Sequence, residues 1–349
     1  MTRCSCVGTM ASTERPLLAP RCGHCGVQSN LLRCGSCRVV QYCSKAHQAA
    51  DRSGHKHACK LVLKLRNVLD RDEEKLRASP GDMFTPADVF ESSVGHFWGI
   101  LGTRDYMRSR YALVEAIMKI KTFDAAQSAL DHLNDMLRLS RSDNLGVRNL
   151  VPALYSRLGR DQESYDFVKW HATTGQRSDY DWGDTSLPYL DVKNADVFES
   201  VKYMCGKYLS LNHVVAVGLL KIKLLLDLKD LQNSLVIGRR LPQEIVDYTK
   251  SFLPRTTIIS QNKEIMIRVD HATQIKRLKS QVIEVHSAVK GYNPYFWKML
   301  LAPGHHLVAR PEAYSPRSLE EAQLAVQFSY DSWNEMPGTL EFVKGQFGY

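Results

Sequence analysis

Eight of the nine cysteines of this 349-residue chain stand within its first 59 positions, and only Cys205 lies beyond. A disulfide-stapled secreted protein spreads its pairs through the whole fold, so this concentration argues against one. Two Cys-x2-Cys pairs followed at short spacing by Cys and His read instead as metal ligation in a reducing compartment. A Cys-x2-Cys turn can place two thiolates on one tetrahedral ion, about 2.3 Å from it. Cys22-Gly23-His24-Cys25 and Cys34-Gly35-Ser36-Cys37 each hold a glycine inside the turn, where unusual backbone angles are expected. Cys43 with His47 and His55 with Cys59 are spaced i, i+4, which predicts one face of a helical turn for each pair. Four pairs supply eight ligands, enough for two closed tetrahedral sites of the structural kind. His24, between two ligands, and His57, too near Cys59 to share its site, read as bystanders. Cys4 and Cys6 read as free thiols in a polar tail over residues 1–19.

A segment of some forty residues cannot bury enough apolar surface to fold alone, and metal answers that deficit. Between Pro16 and Arg66 nine Lys and Arg residues face one acid, Asp51, within a chain of formal net charge +9. Most of the basicity therefore belongs to the zinc module and its flanks, and metal-bound thiolates offset part of it. A basic face suggests an anionic partner. The window nevertheless lacks the single ligand set and intervening recognition helix of a Cys2His2 finger. Tyr42 is its only aromatic residue, too little for stacking on unpaired bases. These features read against direct nucleic-acid binding and for a solvated rim around a protein-binding surface.

The order Cys22-x2-Cys25-x8-Cys34-x2-Cys37-x5-Cys43-x3-His47-x7-His55-x3-Cys59 closely resembles the MYND zinc finger, as do Tyr42-Cys43-Ser44-Lys45 and His55-Lys56. The resemblance implies interleaved sites over residues 20–60. One Zn²⁺ would take Cys22, Cys25, Cys43 and His47, and a second Cys34, Cys37, His55 and Cys59. His47 stands where many members have Cys, and Arg52 where many have Trp. The resemblance also implies recognition of short proline-containing peptides, commonly Pro-x-Leu-x-Pro. That string occurs here as Pro16-Leu17-Leu18-Ala19-Pro20, which reads first as a linker and otherwise as a ligand for a neighbouring copy.

Residues 61–349 read as an α-helical domain, so the fold class is mainly α with a small two-zinc finger in front. Tyr111, Val114 and Met118, then Leu130, Leu133 and Leu137, keep helical spacing, and Val197, Val201, Met204 and Tyr208 are read the same way. Ile275, Leu278, Val282, Val285 and Val289 form a longer stripe. Two segments resemble tetratricopeptide-like helix pairs: Tyr111–Ile120 with Ala125–Leu139, and Leu145–Leu158 with Tyr165–Trp170. Pro152 predicts a kink in the second pair. Thr256 to Ile259 is the best strand candidate, and Ser318 with Glu321 a capping box. Asn144-Leu145-Gly146, Arg157-Leu158-Gly159-Arg160-Asp161 and Asn293-Pro294-Tyr295-Phe296-Trp297, behind such a finger, resemble uncharacterised fungal MYND-finger proteins.

The longest apolar stretch, Val214 to Leu228, contains Lys221, Lys223 and Asp227, which excludes a membrane span there. Residues 1–15 lack an apolar core segment, so no secretory leader is expected and the reading is intracellular, in nucleus or cytoplasm. A SET-and-MYND protein lysine methyltransferase is the enzymatic alternative. Asn212-His213 is followed by Val214-Val215 rather than Ser-Cys, and no Gly-rich loop precedes the finger, which weighs against it. No histidine is followed two positions later by Asp or Glu, against an iron-dependent oxygenase. No Gly-x-Ser-x-Gly elbow or phosphate-binding Gly-rich Lys motif is present. His305-His306 reads as an exposed turn. The sequence thus predicts a non-enzymatic adaptor that binds two Zn²⁺ ions and a protein partner, with transcriptional regulation among its expected settings.

Overall fold

The computed structural model describes residues 18–238 and 242–349. Two short strands, β1 (Leu32–Arg33) and β2 (Gln41–Tyr42), pair antiparallel with Leu32 opposite Tyr42. Helix α1 (Lys45–Ala50) follows, then the long α2 (Arg52–Arg77). Asp51 joins them as the last cap of one helix and the first of the next, and Tyr42 donates to its carboxylate at 2.6 Å. Helix α2 carries His55 and Cys59 in its first turns and packs on α4 with its later ones, so residue 60 falls inside a continuous helix.

Beyond α2 the longer regular elements among the described residues are helices: α3 (Val89–Ser92), α4 (Arg104–Met118), α5 (Phe123–Leu139), α6 (Val151–Arg157), α7 (Asp161–Ala172) and α8 (Leu211–Ile237). Then come α9 (Gln243–Ser251), α10 (Thr257–Ser260), α11 (Lys263–Ile267), α12 (Ala272–Tyr292), α13 (Phe296–Leu301), α14 (Leu319–Asn334) and α15 (Thr339–Phe347). The fold is mainly α, as the periodicity predicts. Helix α4 packs on α5 and α6 on α7, so both expected pairs are neighbouring helices. Leu113, Val114, Ile117, Leu130, Leu133 and Leu137 are all buried between and behind them.

Helix α8 runs through the middle of the body, apolar on nearly every side, against α12, α7 and α14. Gly218 permits close approach to α12, where an added Cβ would stand 3.0 Å from Val285. The three charges that exclude a membrane span tie neighbouring segments to α8. Lys221 donates to the carbonyls of Val197 and Glu199. Lys223 reaches Asp161 at 2.6 Å and Ser156 at 3.1 Å. Asp227 accepts from the backbone N–H of Arg255 and Thr256 and from the Thr256 hydroxyl. All three side chains are fully buried, and their partners make that burial tolerable.

Four local expectations are corrected. Thr256 to Ile259 is no strand: Thr256 caps α10, accepting from Ile259 N–H while Asp227 holds its hydroxyl. The tertiary anchor outweighs the β-branched run. Val197, Val201, Met204 and Tyr208 lie on a loop with one short 3₁₀ turn. The first three are buried, whereas Tyr208 is exposed, so their spacing comes from a wrapped loop. Pro152 kinks nothing, because the helix begins at Val151 and the proline sits in its first turn, where no N–H is required. The preceding turn is made by Gly146, at φ +69°, and by buried Asp143, which accepts from the N–H of Val147 and Arg148. Ser318 does cap α14, accepting from Glu321 N–H, but the Glu321 carboxylate turns to Arg317 N–H instead of closing the box.

Candidate metal centre

The donor groups reach their positions through local backbone turns. Cys22 N–H donates to Val27 O and Gly26 N–H to Cys22 O, closing the first knuckle. In the second, Arg38 N–H donates to Cys34 O. The residues with positive φ are Gly26 (+77°) and Arg38 (+62°), each just after the second cysteine, and not the internal Gly23 and Gly35 as expected. Strand β1 delivers Cys34 and strand β2 delivers Cys43, each one residue past its end. Cys43 lies outside helix α1, before the cap Ser44, while His47 lies within it, so their i, i+4 spacing is not one helical face. His55 and Cys59 do share a face, on α2.

The eight side chains converge as two groups, Cys22, Cys25, Cys43 and His47, and Cys34, Cys37, His55 and Cys59. Within each group the four donor atoms lie within 4.8 Å of one another. Tetrahedral zinc, with Zn–S of about 2.3 Å and Zn–N of about 2.0–2.1 Å, requires donor–donor edges of about 3.5–3.8 Å. Cys25 and Cys43 sulfurs are 3.6 Å apart, and Cys34 and Cys59 sulfurs 3.8 Å. Cys22 Sγ stands 3.8 Å from His47 Nδ1, and Cys37 Sγ 3.4 Å from His55 Nε2. The edge from Cys43 Sγ to His47 Nδ1, at 3.0 Å, is the compressed one. Three sulfurs and one imidazole nitrogen at these separations fit Zn²⁺ in both groups. His24, with its ring 4.9 Å from that of His47, and His57 belong to neither group.

The electrostatics also fit a cation. Burial works against the Cys22 thiolate, but the N–H groups of Cys25, Cys43 and His24 outweigh it and bring the thiol down to about 5. Cys34 falls to about 6 in the same way, against burial and through Cys37 N–H and His55. Burial, joined by the negative charge of Cys34 and Cys59, pushes Cys37 up to about 12. Burial and the neighbouring Cys25 and Cys22 thiols push Cys43 up to about 11. One thiolate thus forms readily in each group and opposes the next, an opposition that a bound divalent cation reverses.

The finger is seated on the body. Arg33 donates to the Asp124 carboxylate at 2.8 Å and 3.1 Å, and the Thr122 hydroxyl donates to Val39 O at 2.5 Å. Arg66, on α2, donates to Cys37 O at 3.1 Å. No local pattern announces these contacts, since Thr122 and Asp124 fall in the short gap between two expected helices. Of Pro16-Leu17-Leu18-Ala19-Pro20, Pro16 and Leu17 lie outside the described residues, as do Cys4 and Cys6. Leu18 is buried, and Ala19 and Pro20 line a cleft of about 320 Å³ between the first knuckle and the α4–α5 turn.

Two closed Cys3His groups joined by a two-stranded sheet and a helix define a structural two-site zinc finger. Residues 22–59 match the family model of the MYND finger, and the chain carries such a finger, a zinc-binding protein-interaction module. Egl nine homolog 1 of Mus musculus is 44% identical over 52 residues. That match spans 15% of this chain and 12% of the mouse protein's length. No solved structure matches the chain. Among the described residues no helix is long and apolar enough to cross a membrane.

Proposed function

We propose that the protein is a non-enzymatic adaptor whose finger recognises a proline-containing peptide, with the helical body supplying a second surface. The observation that carries this reading is the filling of both metal groups. Each has four protein donors, so no coordination position remains for substrate, and the zinc serves the shape of the surface. That surface exposes apolar side chains on a module with few of them: Leu32 on β1 is 69% exposed and Val27 is 46% exposed. Gly23 N–H donates to Gln41 O along the β2 edge, so it is the β1 edge of the sheet that can take an extended peptide alongside it. Leu18, in the chain's own Pro-x-Leu-x-Pro string, is buried against the protein, which favours a ligand from another molecule. Transcriptional regulation is the setting in which such recognition would act.

The test is binding of a labelled Pro-x-Leu-x-Pro peptide to the zinc-loaded full chain. Binding should disappear in Cys34→Ser and persist in Cys205→Ser, which lies outside both groups. Equal binding by Cys34→Ser and the parent would remove peptide recognition from the finger. Tight, saturable S-adenosylmethionine binding would overturn the non-enzymatic reading.

A further inference from the structure

A second cleft, of about 540 Å³, opens between α3, the end of α5, α6 and the loop at 185–193, and shares no residue with the zinc groups. Three cations from three places line it: Arg138 on α5, Arg141 just beyond that helix, and Lys193 on the loop. Arg138 gives its Nε to Asp135 at 2.7 Å, leaving the end of the guanidinium for the cleft. Arg141 is held by two neutral acceptors, the carbonyls of Asp184 and Leu187, at 3.3 and 3.1 Å. Neither Arg141 nor Lys193 forms a direct ion pair with a carboxylate among the described residues. Glu91 is the one carboxylate lining the cleft, and it lies 3.7 Å from Arg77.

Two tyrosines complete the wall. The Arg141 guanidinium lies over the Tyr189 ring, 5.0 Å from its centre. The Tyr189 hydroxyl is buried without a hydrogen-bond partner. The Tyr155 hydroxyl accepts from Asn134, which leaves its proton to donate. Arg141 therefore has carbonyl acceptors and a ring face but no carboxylate at ion-pair distance, with the Asp184 carboxylate close enough to feel its charge. An anionic acceptor in the cleft would pair with the Arg141 guanidinium, and the Tyr189 ring beneath it forms an apolar wall.

We propose that this cleft binds a small phosphate monoester, its phosphoryl oxygens held by Arg138, Arg141 and Lys193 and its carbon portion against Tyr155 and Tyr189. Phosphate offers several acceptor oxygens to guanidinium forks, and the rings offer an apolar face to the organic part. The volume suits a metabolite-sized ligand rather than a folded partner. The proposal is independent of peptide recognition by the finger, because no lining residue is shared.

The test is calorimetric titration of the zinc-loaded full chain with phenyl phosphate. Saturable binding with one site is expected, weakened by about tenfold or more in Arg138→Gln/Lys193→Gln, as loss of charge-assisted bonds requires. Lys193 is exposed and Asp135 retains Arg110, so this variant should keep its melting temperature. Lys56→Gln/Lys60→Gln on α2 should leave binding unchanged. Absence of saturable binding to the parent chain overturns the proposal. So does equal affinity in the folded cleft variant, or loss of binding in the Lys56→Gln/Lys60→Gln control.

Discussion

The finger and the body solve the same folding problem with different materials. The finger buries Val39, Val40 and Tyr42 around its cysteines and leaves Leu32 in solvent. The body buries Trp170, Trp333, Tyr165, Phe97, Phe296 and long runs of leucine and valine. A small module cannot gain enough from apolar burial, so metal–ligand bonds replace it. The larger part has enough apolar area to hold charged pegs such as Lys223 in its centre. The two meet along α2 and at Arg33–Asp124, so they are distinct in composition but joined in structure.

That contrast breaks first, if anywhere, on removal of metal. Structural zinc contributes apparent binding energies of about 10–16 kcal/mol in finger peptides. A chelator should therefore abolish hydrogen-exchange protection of residues 20–60 while α8 and α12 stay protected. A finger protected without metal would mean that its contacts with the body suffice.

Next in size is the interior of the body. Asp161→Ala should cost about 3–5 kcal/mol in denaturant unfolding, because it leaves Lys223 buried without its carboxylate. Asp161→Leu combined with Lys223→Met should recover most of that loss. Leu224→Ala, at a fully buried position, should cost about 2–5 kcal/mol, whereas Leu32→Ala on the finger should stay within about 0.5 kcal/mol. Similar costs at the two leucines would erase the distinction between a metal-built and a core-built region.

Acid sharpens the contrast further. Burial, with Arg110 second, lowers His132 to about 4. Burial lowers His213 to about 4 as well, against the hydrogen bond to Arg148 O. In the unfolded chain both would take up protons near pH 6.5, so folding is favoured above that pH and loses stability as pH falls toward 4. All five tryptophans lie in the body, at positions 98, 170, 182, 297 and 333, so their fluorescence reports this loss without the finger. A thermal midpoint flat between pH 6.5 and 4.5 would show that neither histidine is held neutral. The smallest effect is expected at the seam, where Arg33→Ala should cost about 0–1 kcal/mol because the guanidinium is 65% exposed.

The zinc donors were legible because their signal is local: a two-residue gap between cysteines means a turn wherever it occurs. The stripes of α4, α5 and α12 were legible for the same reason, since periodicity reports which face seeks burial. The reading failed where a distant group decides a local conformation. Thr256 follows Asp227 into a helix cap, and Val197 and Val201 are buried by a loop wrapped over α8.

By itself, then, the sequence determined that the chain is mainly α with a metal-built module in front, and named eight donor residues in four adjacent pairs. Spacing fixes what lies within a few residues, so it could name those pairs but, without the resemblance, not join them. Only the tertiary structure decided which pairs face each other, that positive φ falls on Gly26 and Arg38, and that Asp124 receives the finger. It alone gathered Arg138, Arg141 and Lys193 around one cleft. Such contacts depend on how helices cross, and no local pattern encodes a crossing.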